Sequence, residues 1–365
     1  MHLIFGERSR SIFAPPHYLA PSLSGIDLST SGVKAVRLAE SPHGLTLANY
    51  SEVKLPFGAF ADGEVVDRAA VANALSAAAQ TVHISTANAA LPEPKSFLFE
   101  ATVAGTNKSE LRIAVEQQLD ELIPLPPKDT NFDFVKVQQM EQGQILVAGI
   151  GFARRVVDDT LAAFDSANIP VQVLEGETFA MARSLLHKGD ESTVFIIDIG
   201  KTTTKMSVVE RRLPRFAATI NIGGHSLTLA VQKHFGVTES DARKIKADRG
   251  IVSSAGNEDY LAAMLSTVSA IRDEVSNRLE YWQKKIAHKG THEPVSRAIL
   301  IGGNASVRGL PEYLEGALQI PVATGDVFTN LASRDAWVPS LDYTESLAYA
   351  TAIGLALYNH DRYYA

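Results

Sequence analysis

The stretch "IIDIGKTTTKMSVV" at 196–209 decides the fold, because "GIDLSTSGVKAVRL" at 25–38 repeats its plan. In each stretch an apolar run ends at an Asp, the chain turns through small and hydroxyl residues, and a second apolar run follows a Lys. Short apolar runs bounded by such residues predict strands. A repeat at this separation predicts two domains of one design, each with its own strand–turn–strand unit.

Composition limits the class of protein. The chain has 365 residues, 45% of them hydrophobic, which suffices for two cores. A formal net charge of −7 predicts no nucleic-acid surface, and the absence of Cys excludes disulfides and thiolate chemistry. Residues 1–21 are too polar for a signal peptide and predict a mobile arm. No apolar stretch is long enough to span a bilayer, so we expect a soluble protein without direct membrane insertion.

The segment between the two repeats predicts a smaller unit. "KSELRIAVEQQLDELI" at 108–123 has the apolar spacing of a helix, with a cap at Ser109 and a stop at Pro124. A strand precedes this helix, and two strands joined by a polar turn follow it. We therefore expect a β-α-β-β unit at 95–151. An Ala- and Gly-rich helix is expected near 343–358, where small residues allow close packing on a neighbour.

Both predicted turns have the composition of a phosphate-binding loop. Small residues let the backbone approach a ligand, and the N–H groups of a turn together form an anion-binding concavity. Hydroxyl groups and lysines, with Lys205 an alternative to Lys201, add further donors to phosphate. Two such turns facing each other would hold a polyphosphate from both sides. The candidates are Ser29, Thr30, Ser31, Gly32 and Lys34 in the first turn, and Gly200, Lys201, Thr202 and Thr203 in the second.

The acid before each turn is a candidate metal ligand. Asp27 and Asp198 end the first strand of each repeat. Mg²⁺ prefers carboxylate oxygens together with phosphate oxygens, so both residues are predicted to bind it. Ordinary hairpin turns also favour Gly, Ser, Thr and Asp, and one copy alone would favour that simpler interpretation. The presence of two copies favours phosphate binding.

A third Gly-rich element predicts the place of a nucleotide base. "ILIGGNASVRGL" at 299–310 is an apolar strand that runs into two glycines and then a helix. Glycines at such a turn let a flat ring such as adenine lie against the backbone. A lone strand–Gly–Gly–helix is common as a packing turn in α/β proteins. Following two phosphate turns, it predicts an adenosine site with the candidates Gly302, Gly303, Asn304 and Arg308.

Together these motifs resemble the actin-like ATPase superfamily, which includes actin, sugar kinases and the division protein FtsA. The two repeats resemble its phosphate motifs, and 299–310 resembles its adenosine motif. Within the superfamily, the chain from about Leu23 is similar to the PilM family of type IV pilus assembly. "SELRIAVEQQLDELIPLPPKDTNFDFVKV" at 109–137 and "RFAATINIGGHSLTLAVQKHFGVTESDARKIK" at 215–246 carry that similarity.

The resemblance implies an α/β actin-like ATPase fold, with two duplicated domains around a nucleotide cleft and a β-α-β-β insertion of the 1C (SHS2-like) type in domain I. The implied divisions are an N-terminal arm at 1–21, subdomain 1A at 22–94 and 152–190, subdomain 1C at 95–151, domain 2 at 191–336, and a C-terminal helix returning to subdomain 1A at 337–365.

The resemblance also implies ATP and Mg²⁺ in the cleft, with further ligand and catalytic residues. In the family, the Gly-Gly turn and the later Lys of the second similar segment approach the nucleotide, which adds Gly223, Gly224 and Lys246. The connecting segment "VLEGETFAMARSL" at 173–185 supplies Glu175 and Glu177 as candidate catalytic acids. Because the family more often has an Asp-x-Glu pattern there, we expect at most a weak ATPase.

Finally, the resemblance implies a partner. PilM proteins bind the short N-terminal cytoplasmic peptide of the inner-membrane protein PilN, in a groove between subdomains 1A and 1C. A PilN-like peptide is therefore expected here, with contacts to pilus motor ATPases as a further possibility. Such a protein is cytoplasmic and peripheral at the inner face of the membrane through its partner. An FtsA-like filament-forming ATPase and a small-molecule kinase are the alternatives on the same fold.

Overall fold

The computed structural model describes residues 22–140, 143–252, 256–289 and 292–363. The predicted arm at 1–21 lies outside the described residues. The first half has a five-stranded sheet, a short hairpin and an inserted three-stranded sheet. In chain order its elements are β1 (Ser24–Ser29), β2 (Gly32–Ser41), β3 (Gly44–Lys54), β4 (Phe60–Ala61), β5 (Glu64–Val65), α1 (Arg68–Val82), β6 (Ala87–Leu91), β7 (Ser96–Ala104), α2 (Lys108–Glu116), α3 (Leu119–Leu122), β8 (Thr130–Gln139), β9 (Gln144–Ala153), α4 (Arg154–Ser166), β10 (Val171–Gly176) and α5 (Glu177–Leu185).

The second half has its own five-stranded sheet. Its elements are β11 (Thr193–Ile199), β12 (Thr204–Glu210), β13 (Leu213–Ile220), α6 (Gly224–Phe235), α7 (Glu239–Arg249), α8 (Glu258–Lys289), β14 (Arg297–Ile301), α9 (Leu310–Leu318), β15 (Val322–Thr324), α10 (Tyr343–Ser346), α11 (Ala350–Ala356) and α12 (Tyr358–Tyr363).

The two five-stranded sheets have one topology. Their strand orders are β10–β6–β1–β2–β3 and β15–β14–β11–β12–β13. In each, three antiparallel strands joined by hairpins are followed by two parallel strands. Even the register is shared, because Asp27 lies opposite Lys34 and Asp198 lies opposite Lys205. The predicted duplication of two like domains is confirmed.

Helices cover the sheets in three layers. Helices α1 and α4 pack on the outer face of the first sheet, through side chains such as Leu75 and Phe164. Helices α6, α8 and α9 pack on the outer face of the second sheet, around the fully buried Trp282. Between the two sheets lie α5 and α11, with Met181 and Ile353 in one shared core. Across the described ranges, no helix has the length and apolar character needed to cross a bilayer.

The inserted sheet has a small core of its own. Its strand order is β7–β9–β8, and Leu111 and Val115 of α2 pack against Val103 and Val147. The predicted domain boundaries around this sheet and elsewhere stay predictions.

The helix predicted at 108–123 was wrong in its details. The side chain of Asn107, not of Ser109, accepts a hydrogen bond from the N–H of Glu110 at 3.0 Å. Glu110 in turn accepts from the N–H of Thr106 at 2.8 Å, so these residues cap the helix reciprocally. The helix also ends at Glu116, and a second short helix, α3, begins at Leu119, whose side chain lies in the core.

The helix predicted near 343–358 is also interrupted. A short 3₁₀ turn at Leu347–Tyr349 separates α10 from α11. The expected close packing is confirmed, because a Cβ built on Gly354 would lie 1.8 Å from the carbonyl oxygen of Ala180 in α5. On the other side of α11, a Cβ on Gly25 would lie 2.0 Å from the carbonyl oxygen of Ala352. Both contacts bring backbone directly against backbone.

Replacement of Gly354 by Val should therefore separate α11 from α5. We expect a loss of about 3 kcal/mol, as for severe overpacking, and a thermal unfolding midpoint lower by roughly 5 °C or more. The matched control is Gly316→Ala in α9, where a Cβ meets nothing within 4 Å and where Ala favours the helix. A Gly354→Val midpoint equal to that of the control would contradict the close contact.

Candidate functional site

The two predicted phosphate turns meet across a deep cleft. The hydroxyl groups of Thr30 and Thr202 lie 2.8 Å apart, so the tips of the turns are in hydrogen-bond contact. The cleft around them has a volume of about 1190 Å³ and is lined by both sheets, by α10–α11 and by the loop that leads into the inserted sheet. Such a volume exceeds that of a typical small-molecule pocket.

Most of the predicted site residues line this cleft, although they come from six separate parts of the chain. Residues of both turns, of the start of α5, of the start of α6, of α7 and of the turn after β14 face one space. They are Asp27, Ser29, Thr30, Ser31, Lys34, Glu177, Asp198, Gly200, Lys201, Thr202, Thr203, Gly224, Lys246, Gly302, Gly303 and Asn304.

Four predicted residues do not line the cleft. Gly32 ends the first turn, where its φ of +148° and the carbonyl oxygen of Val53, 2.3 Å from a built Cβ, both require glycine. Gly223 supports the second turn, because a Cβ there would lie 2.8 Å from backbone atoms of that turn. The Arg308 guanidinium donates to the carbonyl oxygen of Asp248 at 3.1 Å. Glu175 forms a two-bond ion pair with Arg183.

The first turn is held by hydroxyl groups and one lysine. The hydroxyls of Ser29 and Ser31 lie 2.8 Å apart, and the Lys34 ammonium donates to Ser31 at 2.8 Å. Lys34 is buried and also lies 3.6 Å from a carboxylate oxygen of Glu52 in β3. The turn therefore presents ordered hydroxyls and one positive charge to the cleft.

Asn304 connects the second turn to the predicted adenosine turn. Its amide nitrogen donates to the carbonyl oxygen of Gly200 at 2.9 Å, and its oxygen accepts from the Lys246 ammonium at 2.7 Å. Lys246 also donates to the Gly224 carbonyl and the Thr228 hydroxyl, both at 3.2 Å. Burial, with the nearby charge of Arg243, lowers the pKa of Lys246 to about 8. These three acceptors are all neutral groups. The ammonium therefore has no carboxylate among them, and this suits it to binding an anionic ligand.

The turn after β14 requires glycine at one position and leaves space at the next. Gly302 has a φ of +91°, and a Cβ there would lie 2.3 Å from a carboxylate oxygen of Asp198. A Cβ on Gly303 would meet nothing within 4 Å. Open space against bare backbone, on the wall of the cleft, fits a flat ring.

The two aspartates before the turns form an acidic floor. Burial, followed by the charge of the neighbouring Glu177, raises the pKa of Asp27 to about 6 against the charges of Lys34 and Lys205. Burial also raises the pKa of Asp198, with Lys205 opposing. Carboxylates held in this way gain from an added cation. No group of three potential metal-ligating side chains occurs in the described ranges, so a Mg²⁺ ion here would need phosphate oxygens as well.

Sequence reasoning missed a buried polar chain at the base of the cleft. The Lys205 ammonium donates to Glu177, and burial of Lys205 is outweighed by Glu177, Asp198 and Asp27, so that its pKa rises. Beside Glu177, the Thr178 hydroxyl donates to the carboxylate of Glu93 at 2.6 Å. Burial raises the pKa of Glu93. The only sequence signal was the "PEP" turn around Glu93, which reads as a boundary and not as a site.

A second, smaller cavity lies where the inserted sheet meets the first domain. Its volume is about 580 Å³. The Arg112 guanidinium lies 4.6 Å from the centre of the Phe132 ring on its wall, and Arg154, the first residue of α4, is also in the lining. The lining residues are Arg112, Glu116, Leu119, Pro127, Thr130, Asn131, Phe132 and Arg154.

Comparison with solved structures confirms the predicted actin-like fold, while the SHS2-like type of the insertion stays a prediction. A structure described as the PilM–PilN type IV pilus biogenesis complex superposes with a TM-score of 0.74, at 20% identity, over 92% of this chain and 97% of that chain. MreB 5 of Spiroplasma citri bound to AMPPNP superposes with a TM-score of 0.53, at 13% identity, over 93% of this chain and 96% of that chain. The fold is that of the actin-like ATPases.

A family profile covers nearly the whole chain. The profile described as type IV pilus assembly protein PilM matches residues 25–360, which include both phosphate turns, the inserted sheet and the turn after β14. The chain therefore belongs to the PilM family of type IV pilus assembly proteins.

Proposed function

We propose that this protein is a nucleotide-bound adaptor of type IV pilus assembly. Mg·ATP would bind in the cleft, and the N-terminal peptide of a PilN-like inner-membrane protein would bind beside the inserted sheet. The observation that carries the proposal is the meeting of two like turns across the cleft, each preceded by an Asp whose pKa is raised. Family membership supplies the pilus context.

Different residues of the cleft would bind different parts of Mg·ATP. The hydroxyls of the two turns, with Lys201, would donate to the phosphates, while Asp27 and Asp198 would hold Mg²⁺. Lys246 and Asn304 would face the ribose side, and the backbone at Gly302 and Gly303 would face adenine. The bound Mg²⁺ would neutralise phosphate charge. Each charge-assisted hydrogen bond to phosphate contributes roughly 1.5–3 kcal/mol.

Both candidate catalytic acids are already engaged, which supports slow hydrolysis. Glu175 is paired with Arg183, and Glu177 is paired with Lys205. A general base must be able to accept a proton from the attacking water. A carboxylate paired with a cation is a poor base, so the protein would act chiefly by holding its nucleotide.

The cavity of about 580 Å³ is the site that we propose for the peptide. It lies at the junction of the inserted sheet with α4 of the first domain, which is the place that the family resemblance implies. Its wall combines apolar side chains with Asn131 and two arginines, so it can bind both the side chains and the carbonyl groups of an extended peptide. Binding there would hold the protein at the cytoplasmic face of the membrane through its partner.

Replacement of Asp198 by Ala should weaken Mg·ATP binding at least about tenfold, or roughly 1.4 kcal/mol, because the metal loses a ligand on the second domain. Asp27→Ala should do the same from the first domain. Calorimetric titration of each variant with Mg·ATP measures the change. The matched control is Asp129→Ala in the exposed 3₁₀ turn before β8, which should bind as the native protein does. Native affinity in both cleft variants would show that the metal lies elsewhere.

Replacement of Arg154 by Ala should weaken the affinity for the peptide about five- to tenfold, because a hydrogen-bond donor at the cavity wall is removed. The measurement is a calorimetric titration, with Mg·ATP present, of the N-terminal peptide of the PilN-like protein from the same organism. Lys136→Ala, which removes an exposed charge from β8 outside the cavity, serves as the control. Equal affinities for the two variants would place the peptide on another surface.

A further inference from the structure

A buried cluster of four charged groups joins the inserted sheet to the second domain. Glu100 belongs to β7 of the inserted sheet, Glu210 ends β12, Arg215 belongs to β13, and His292 precedes β14. The side chains of Arg215 and His292 are each 2% exposed, Glu210 is 8% exposed and Glu100 is 23% exposed. This cluster lies outside both the cleft lining and the proposed peptide cavity.

Each cation of the cluster contacts both acids. The Arg215 guanidinium donates to Glu100 at 2.9 Å and lies 3.2 Å from an oxygen of Glu210. His292 places Nδ1 3.2 Å from Glu210 and Nε2 3.1 Å from Glu100. Glu210 is fixed further by the backbone N–H of Glu293 at 2.9 Å. Two negative and two positive charges then balance, but only while the imidazole is protonated.

The geometry of the ring itself requires the proton. A neutral imidazole has one N–H group, and its other nitrogen presents a lone pair. With a carboxylate oxygen facing each nitrogen, the neutral ring would direct a lone pair at one of the acids and leave a net negative charge buried. Such a charge costs several kcal/mol unless the groups move apart.

We propose that His292, as an imidazolium, latches the inserted sheet to the second domain, and that the latch opens when the ring loses its proton. Glu100 is the member of the cluster that belongs to the inserted sheet, so it is the one that separates. The other three groups stay together on the second domain, with Arg215 beside Glu210.

The charges around the ring set the pH at which the latch opens. Hydrogen bonds to Glu100 and Glu210 raise the pKa of His292 to about 9, against the effect of burial. Arg215 faces the same two acids, and Lys285 of α8 lies 5.2 Å from the Trp282 ring, which in turn lies 4.8 Å from the His292 ring. The pKa of His292 in the folded protein exceeds the ordinary value of about 6.5. The latch therefore contributes its full stabilisation below about pH 6.5, and this stabilisation is lost as pH rises through about 9.

The latch has a consequence for the adaptor that rests on the proposed peptide site. The inserted sheet carries the peptide cavity, and the second domain carries one of the two phosphate turns. A closed latch would fix the cavity relative to that turn, so movement of the second domain would be transmitted to the bound peptide.

The test measures a distance across the latch, without peptide or nucleotide, so its failure is distinct from failure of the proposed function. The chain has no cysteine, which makes paired labelling simple. Spin labels on Lys136→Cys in β8 and Asn277→Cys in α8, both exposed positions, report the separation by pulsed electron resonance. We expect one narrow distance at pH 7 and a broader, longer distribution at pH 10, with a midpoint near pH 9.

Glu100→Gln should abolish this pH dependence. An amide at this position can donate to Nε2 of a neutral ring while Nδ1–H donates to Glu210, and Arg215 balances the one remaining carboxylate. The distance should therefore stay narrow from pH 7 to pH 10. The control is His43→Gln, at an exposed turn far from the latch in the chain. In this variant the distance between the labels should change with pH as it does in the native protein. Identical titrations of Glu100→Gln and native protein would overturn the proposal, as would a native distance that does not change.

His292→Gln supplies a second variant at neutral pH. A glutamine at this position has its amide nitrogen and its amide oxygen where the two ring nitrogens were. The nitrogen can donate to one carboxylate, but the oxygen then faces the other, and the side chain carries no charge to balance the acids. We expect the broad distribution already at pH 7, and its return to a narrow one when Glu100→Gln is added. A narrow distance in the single variant would overturn the latch. So would loss of helical circular dichroism with the same midpoint, because the protein would then be unfolding as a whole.

Discussion

The contact between α5 and α11 is the constraint on which the arrangement of this molecule depends. These two helices fill the space between the sheets, and they approach until the backbone of Gly354 touches that of Ala180. Gly25 permits the same closeness between α11 and β1. Because the sheets are separated only by this thin layer, the turns that extend from them meet at Thr30 and Thr202. A thicker pair of helices would leave two separate half-sites.

The sequence predicted the repeated parts of the structure and missed the parts that depend on distant partners. The two strand–turn–strand units were predictable because an Asp, a hydroxyl-rich turn and a Lys recur in the same order, and the structure gives them one register. The hydrogen-bond partners of the acidic side chains at the base of the cleft were not predictable. Lys205 reaches Glu177, and Thr178 reaches Glu93, only because the fold brings distant parts of the chain together. The interruption after Glu116 was not predicted either, because the apolar spacing of Leu111, Val115 and Leu119 is that of one continuous helix.

Charge is distributed in the cleft by the same duplication. Each aspartate at a turn faces a lysine across its hairpin, and each of these lysines is held by a further acid, Glu52 for Lys34 and Glu177 for Lys205. The lysines reduce the repulsion between the two carboxylates without neutralising it, because desolvation still raises the pKa of Asp27 and of Asp198. A site with this balance gains from a divalent cation that arrives with its own anion, which is the form in which nucleotides carry Mg²⁺.

The engagement of Glu175 and Glu177 has a consequence for the lifetime of the folded protein. A ligand that is held and not consumed acts on the folding equilibrium by mass action. At a free concentration one thousand times its dissociation constant, such a ligand stabilises the form that binds it by about 4.1 kcal/mol. That amount is comparable with a large part of the net stability of a domain. A nucleotide bound between these two domains would stabilise the folded chain in this way, and its depletion would increase the unfolded fraction that proteases can cleave.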